Sequence, residues 1–213
     1  MDFSISFYVP NGLVWHFLAN NDDIFLFHFK SQLSGSKSYR AEAELGFETT
    51  TLDMDKTGSI TRTAPYEHIT VGDMEHILPA FVGTTKQVPP MYSAIRMGGK
   101  RLHEKARNEG LSEADVNIEA REVVIHRLAL LSMHGKQFSL AIECGGGTYV
   151  RSLIRDIAHK LDSVATMTSL ERTQQSQFTL ENSLAREDWS PDNIYAAIDK
   201  WNAQRQQDGG SRS

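Results

Sequence analysis

The run Cys144-Gly-Gly-Gly-Thr-Tyr-Val-Arg-Ser-Leu-Ile-Arg-Asp156 constrains this chain more than any other stretch. Three glycines lead directly into a segment in which Val150, Leu153, Ile154, Ile157, Ala158 and Leu161 recur at the spacing of one buried face. A helix over 148–161 is therefore predicted, packed on a core and entered through a flexible turn. Its first turn presents Tyr149 and Arg151, and Arg151 and Arg155 lie off the apolar stripe, free to point toward a site. Glycines let backbone approach a ligand, and a helix N-terminus offers free N–H groups to an anion. A plain tight turn has the same composition, so the rest of the chain must decide.

Elsewhere the pattern mixes strands and helices without βαβ alternation, which predicts an α+β fold. Residues 37–46 alternate like a half-buried strand closed by Gly46, and Thr49–Gly58 read as a polar loop. A helix is predicted over Thr70–Phe81, with Met74, Ile77, Leu78 and Phe81 on one face. Residues 83–120 are loop-rich and basic, with a short helix near Leu102–Asn108 stopped at Gly110. Arg121–Met133 and Gln137–Glu143 are strand candidates joined at His134-Gly135 like a hairpin. Ser190-Pro191-Asp192 is a helix start, followed by Ile194, Ile198 and Trp201, and the last ten residues are predicted to be disordered.

The first thirty residues differ from all that follows. They hold Phe3, Phe7, Phe17, Phe25, Phe27 and Phe29, six of the ten phenylalanines, with poor periodicity and no clear turn chemistry. At 213 residues there is room for one sizeable domain with a small subdomain. The single cysteine excludes a disulfide framework or a cysteine-rich zinc site and fits a reducing compartment. No stretch approaches the roughly 18 consecutive apolar residues of a membrane helix, and the N-terminus lacks the basic region of a secretory signal.

Charge sets a further condition. With 22 Lys and Arg against 27 Asp and Glu the chain is net acidic, unlike most nucleic-acid binders. Yet Arg96–Arg107 holds five basic residues against one Glu, and Lys100, Arg101, Lys105 and Arg107 are placed to neutralise phosphates. A solvated helix face has the same composition. None of the eight histidines pairs with a second ligand at metal spacing, so no metal site is predicted. Asp53 and Asp55, in a Thr-rich loop, read as turn formers before a carboxylate pair.

Segment after segment from Leu33 to Ser183, the chain resembles the TruB-type tRNA pseudouridine synthases. The matching runs are Gly35-Ser-Lys-Ser-Tyr39-Arg-Ala-Glu-Ala-Glu-Leu45-Gly46, Thr49-Thr-Thr-Leu-Asp53, Phe81-Val-Gly83 and Gln87-Val-Pro-Pro-Met-Tyr-Ser-Ala-Ile95. Gly99-Lys-Arg-Leu102, Arg121-Glu-Val-Val-Ile125, Cys144–Asp156 and Leu170-Glu-Arg172-Thr173 follow in the same order.

The resemblance implies a pseudouridine synthase fold: a mixed, mainly antiparallel sheet flanked by helices, with an RNA-gripping thumb over about 84–120. The catalytic domain would span 33–183, between an atypical segment 1–32 and a C-terminal helix and tail over 184–213. It implies isomerisation of uridine to pseudouridine in the T-stem-loop of tRNA by an intracellular monomer, without cofactor or metal, on a base flipped out of the RNA stack. Tyr39 would stack on the uracil and take the C5 proton, a role that needs local help because phenol is a poor base at neutral pH. Tyr149 and Leu170 would line the uracil pocket, Arg151 would pair with a nucleophilic aspartate, and Lys100, Arg101, Lys105 and Arg107 would sit on the thumb.

That aspartate is not found. In the family it stands in a Gly-x-Leu-Asp-Pro motif, and counting back from Tyr39 reaches Val9-Pro-Asn-Gly-Leu-Val14 instead. Asp2, Asp22 and Asp23 lack the motif around them. Residues 1–30 therefore read as a substituted segment, such as a translated intron or an alternative start, and the polypeptide as written is expected to be inactive. A non-catalytic tRNA-binding or RNA-folding role is the alternative. Arg151 is further expected to be left without its partner unless a Glu or Asp of the substituted N-terminus reaches it, and an unpaired survivor of a buried charge pair costs about 3–5 kcal/mol.

Overall fold

The computed structural model describes residues 35–55, 58–111 and 115–209, together with the backbone of the strand segments 4–8, 14–20 and 23–28. The chain divides into two compact units, residues 38–171 and a second unit made of 1–37 with 172–213.

In the second unit, strands β1 (Ser4–Tyr8), β2 (Val14–Asn20) and β3 (Asp23–His28) form an antiparallel meander. The sequence of this region looks aperiodic, but its aromatic and β-branched residues favour strand, and β2 pairs with β3 from Trp15 with His28 to Asn20 with Asp23.

The larger unit begins with β4 (Lys37–Leu45), whose alternation buries Tyr39, Ala41, Ala43 and Leu45 and turns Arg40 and Glu42 to solvent. Gly46 ends it at φ +99°, a conformation that favours glycine, and a Cβ there would lie 2.9 Å from the Tyr66 ring. A small hairpin follows, β5 (Phe47–Thr49) with β6 (Ile60–Thr63). Helix α1 (Val71–Ile77) starts in a capping box between Thr70 and Asp73. The expected helix continues to Phe81 only as a 3-10 turn, Leu78–Phe81, because Pro79 brings no N–H to the ladder.

Next come β7 (Gly83–Gln87), the two-residue strands β8 (Arg96–Met97) and β9 (Lys100–Arg101), and helix α2 (Leu102–Glu109), ended by Gly110 at φ +67°. Leu102 and Ala106 of α2 bury against Met91, with Tyr92, Ile95 and Met97 packed around them. The thumb segment thus has a small core of its own.

The long hairpin β10 (Arg121–His134) and β11 (Gln137–Cys144) turns at Gly135-Lys136, and β11 buries Phe138, Leu140, Ile142 and Cys144 in strict alternation. Helix α3 (Val150–Lys160) buries Val150, Leu153, Ile154, Ile157 and Ala158 as the stripe predicts. It also buries Arg155, which pairs with Asp156 at 3.0 Å and so does not face a site. Strand β12 (Ala165–Gln175) completes the sheet, whose strands in this unit run β12–β4–β11–β10–β7. Its core gathers Tyr39, Leu45, Met74, Ile125, Leu140, Ile142, Leu153, Ile154 and Met167.

Back in the second unit, the end of β12 pairs with β13 (Phe178–Thr179), and β14 (Leu184–Ala185) pairs with β3. Helix α4 (Pro191–Gly209) starts where Ser190 Oγ accepts from the Asn193 N–H, and Trp201 packs on Phe178 with ring centroids 4.5 Å apart. The disorder expected for the last ten residues does not hold up to Gly209: Ala203, Gln204, Arg205 and Gln206 are good helix formers and continue α4. Residues 210–213 lie outside the described residues. Among the described residues no helix is long and apolar enough to cross a membrane.

Candidate functional site

The glycine-rich turn delivers β11 into α3. Gly145 N–H donates to Val124 O at 2.8 Å, Thr148 Oγ1 donates to Gly145 O at 3.2 Å, and Gly147 takes φ +85°. Tyr149 then serves as the N-cap in extended conformation, and its carbonyl accepts the first helical bond from Leu153 N–H at 3.1 Å. Two residues on, the guanidinium of Arg151 donates from Nη1 to Thr51 O at 2.8 Å and from Nη2 to Tyr92 O at 3.1 Å. One side chain thereby ties the start of α3 to the Thr49–Asp53 loop and to the root of the thumb.

That loop is held stiffly. Thr49 Oγ1 donates to Asp53 O at 2.9 Å and accepts Asp53 N–H at 3.2 Å, while Thr51 Oγ1 donates to the same carbonyl at 3.1 Å. Both threonines are buried. Leu52 is buried at φ +58°, left-handed backbone that costs a branched residue about 1–2 kcal/mol and persists only where its surroundings over-determine it. Gly58 fits beneath the loop, where a Cβ would stand 2.6 Å from Thr51 Oγ1.

Asp53 departs from the expected turn role. Its backbone forms a parallel bridge with Met167, braced by Met54 N–H to Met167 O at 2.9 Å and Met167 N–H to Leu52 O at 3.2 Å. Burial pushes its carboxyl above the usual carboxylate range, and the positive charge of Arg151 opposes that rise. Asp55 is exposed and supplies the turn contact, accepting Gly58 N–H at 3.4 Å.

A pH signature follows for Asp53. A carboxyl whose folded pKa lies above its unfolded one contributes stability below the unfolded value and loses it as pH rises through the folded value. Asp53→Asn removes that titration. Its urea midpoint, relative to wild type, is therefore expected to be higher at neutral than at mildly acid pH. A difference that stays constant with pH would count against the burial of this carboxyl.

The other residues singled out in the sequence fall as follows. Tyr39 sits on β4 with 8% exposure, in the same core cluster as Cys144, Val150 and Met167. Leu170 lies three residues past Met167 on β12 and is 36% exposed. Tyr149 is the N-cap of α3 and Arg151 stands in its first turn. On the thumb, Arg101 and Arg107 are exposed, Lys105 is half-buried, and Lys100 is bonded to Glu109 at 2.6 Å. That hydrogen bond holds the Lys100 ammonium above its ordinary pKa. Among the described residues no group of His, Cys, Asp or Glu is arranged to hold a metal ion.

Arg151 is not stranded as expected, since two carbonyls and the field of Asp53 engage it. Thr51 and Asp53 belong to the Thr49-Thr-Thr-Leu-Asp53 run, but only the fold reveals its register with Arg151 and the approach of Tyr92.

A family model described as TruB family pseudouridylate synthase (N terminal domain) matches residues 28–150, more than half of the chain. The chain belongs to the TruB family. It is 42% identical over 171 residues to the pseudouridylate synthase TRUB1 of Mus musculus, a match covering 80% of this chain and 49% of that one. Against TRUB1 of Homo sapiens the identity is 43% over 170 residues, 79% of this chain and 47% of that one. Against a tRNA pseudouridine synthase B of Clostridium perfringens it is 39% over 157 residues, 73% of this chain and 51% of that one. The chain thus spans about half the length of the TruB relatives it matches. A chain in the crystal structure of a Cbf5–Nop10–Gar1 complex shares the α+β fold, with TM-score 0.51 at 22% identity over 74% of this chain and 36% of that one.

Proposed function

We propose that this TruB-family chain binds a uridine of the T-stem-loop of tRNA as an intracellular monomer, on the scaffold that isomerises uridine to pseudouridine. In that reaction the N1–C1′ glycosidic bond breaks, the uracil turns, C5 bonds to C1′, the C5 proton leaves and N1 takes up a proton. Tyr39 stacks on the uracil and is placed for the C5 proton, Tyr149 and Leu170 wall the pocket, and Arg151 orients a carboxylate at the sugar. Lys100, Arg101, Lys105 and Arg107 hold phosphates.

The observation that carries this proposal is the two-carbonyl anchorage of Arg151, which fixes a guanidinium between the Asp53 loop and the root of the basic thumb. The names of the TRUB1 and tRNA pseudouridine synthase B relatives support the reaction class. With no aspartate in the Val9–Val14 run, we take this polypeptide to hold its RNA without turnover, which gives the non-catalytic tRNA-binding role its weight.

Incubation with a T-stem-loop RNA tritiated at uracil C5 separates the possibilities. The expected result is retention of the RNA with no tritium released. Release that falls in Tyr39→Phe would mean another carboxylate attacks, and the chain is an active synthase. Failure to retain the RNA at low salt would overturn the binding proposal itself.

A further inference from the structure

We infer that Gln87 is a positioning residue for Tyr149 and Arg151, its carboxamide gripping the backbone of the N-cap residue from which α3 starts. The inference rests on the proposed roles of those two residues and names what holds them. Tyr149 occupies the N-cap, yet its phenol makes no capping bond to the first turn, and tyrosine is not among the short polar residues that fill this position well. Its own backbone is instead gripped from outside the helix. Tyr149 N–H donates to Gln87 Oε1 at 2.8 Å, and Gln87 Nε2 donates to Tyr149 O at 3.1 Å.

A carboxamide carries one acceptor and one donor side, and here both engage a single residue as a neighbouring strand would. The amide orientation is fixed by that pairing, since a flipped group would set N–H against N–H and O against O. Gln87 is the last residue of β7, paired with Arg121 on β10 and only 3% exposed, so its position is set by the sheet. The clamp joins residues 62 apart in sequence.

The neighbours of Gln87 extend the attachment. Val88 O accepts Ser152 Oγ at 2.9 Å and Arg155 Nη2 at 3.3 Å, and Tyr92 O accepts Arg151 Nη2 at 3.1 Å. Buried Arg155, with no role at a site, acts here as a structural rivet. Among these contacts the Gln87 clamp alone grips the residue at which the helix begins. A first turn that frays at Tyr149 would free Arg151 from helical geometry and loosen its fork from Thr51 O.

The test uses the RNA-free protein first. Gln87→Met keeps volume and removes both bonds. It is expected to speed hydrogen exchange of the Tyr149 amide by at least about tenfold relative to wild type while β11 amides stay protected. Gln87→Glu discriminates further. Its carboxylate accepts Tyr149 N–H but has nothing to donate to Tyr149 O, whereas the protonated carboxyl is a donor–acceptor pair like the amide. The variant-to-wild-type exchange ratio at Tyr149 is therefore expected to fall back toward one on acidification, a recovery that mere packing at this position would not produce.

Equal acceleration at Tyr149 and β11, no acceleration at Tyr149, or a ratio in Gln87→Glu that ignores pH would each overturn the inference. Should Gln87→Met fail to fold, the pH dependence of Gln87→Glu decides alone. RNA is then added. Gln87→Met is expected to weaken binding of a stem-loop with an extrahelical uridine about tenfold and to leave binding of plain duplex unchanged. If wild type binds neither RNA, the proposed function fails while the exchange data still decide the clamp.

Discussion

Replacing Lys100, Arg101, Lys105 and Arg107 together with alanine is expected to lower affinity for stem-loop RNA about 100-fold near physiological salt and to flatten the salt dependence by about 3 in log–log slope. Each Lys–phosphate or Arg–phosphate contact releases close to one counterion, so four contacts account for the slope change. The remainder of the chain offers little compensation, because it is net acidic and the dense basic run lies at Arg96–Arg107. Loss of structure would not explain such a result. Arg101 and Arg107 are exposed, and the thumb's own core of Met91, Leu102 and Ala106 is left intact. On the proposed function Lys100 would exchange Glu109 for a phosphate, an easy exchange because both partners are solvated. In the same titration Glu109→Gln should therefore bind slightly tighter than wild type. Filter binding across a salt series checks both, and an unchanged slope in the fourfold variant would remove the thumb from the RNA interface.

What could be seen in the sequence was whatever a local period encodes. The alternation in 37–46, the stripe of 150–161 and the Gly110 stop of the thumb helix each state a face or an end within a few residues, and each appears in the fold. Strand β7 carries no such statement. Its Gly-Thr-Thr-Lys-Gln pairs on one side with β10, an edge position where polar residues are tolerated and no apolar alternation is required. The second half of β12, Leu170-Glu-Arg-Thr-Gln-Gln175, hides its strand character in the same way. The site was half legible. Tyr39, Tyr149, Arg151 and Leu170 stand out by their motifs, but the partners of Arg151 are backbone carbonyls 100 and 59 residues away. A carbonyl has no signature in a sequence, because every residue has one. Asp53 looked like a turn former for a related reason: its approach to Arg151 depends on a bridge to Met167 that only the assembled sheet supplies.

Those carbonyls make Arg151 the residue whose loss should be felt most. Arg151→Leu leaves Thr51 O and Tyr92 O without their charged donor, and hydrogen bonds to a charged group contribute about 1.5–3 kcal/mol each. A loss of about 3–5 kcal/mol is expected, enough to consume much of the net stability of an ordinary domain. Arg151→Lys should recover only part of it, since one ammonium on a flexible stem does not span two carbonyls as the planar fork does. The pH dependence identifies the second contribution. Arg151 holds the Asp53 carboxyl down against its burial, so without it that pKa rises further and the folded variant is favoured more strongly by protonation. Arg151→Leu should therefore lose more stability at neutral than at mildly acid pH. Adding Asp53→Asn should remove that difference and restore part of the loss, a coupling that a double-mutant cycle in urea measures directly. A small loss, independent of pH and additive with Asp53→Asn, would mean that the guanidinium is merely lodged between the loop and the thumb. The expected coupling would mean instead that the loop, the thumb root and α3 are held in register through this one side chain.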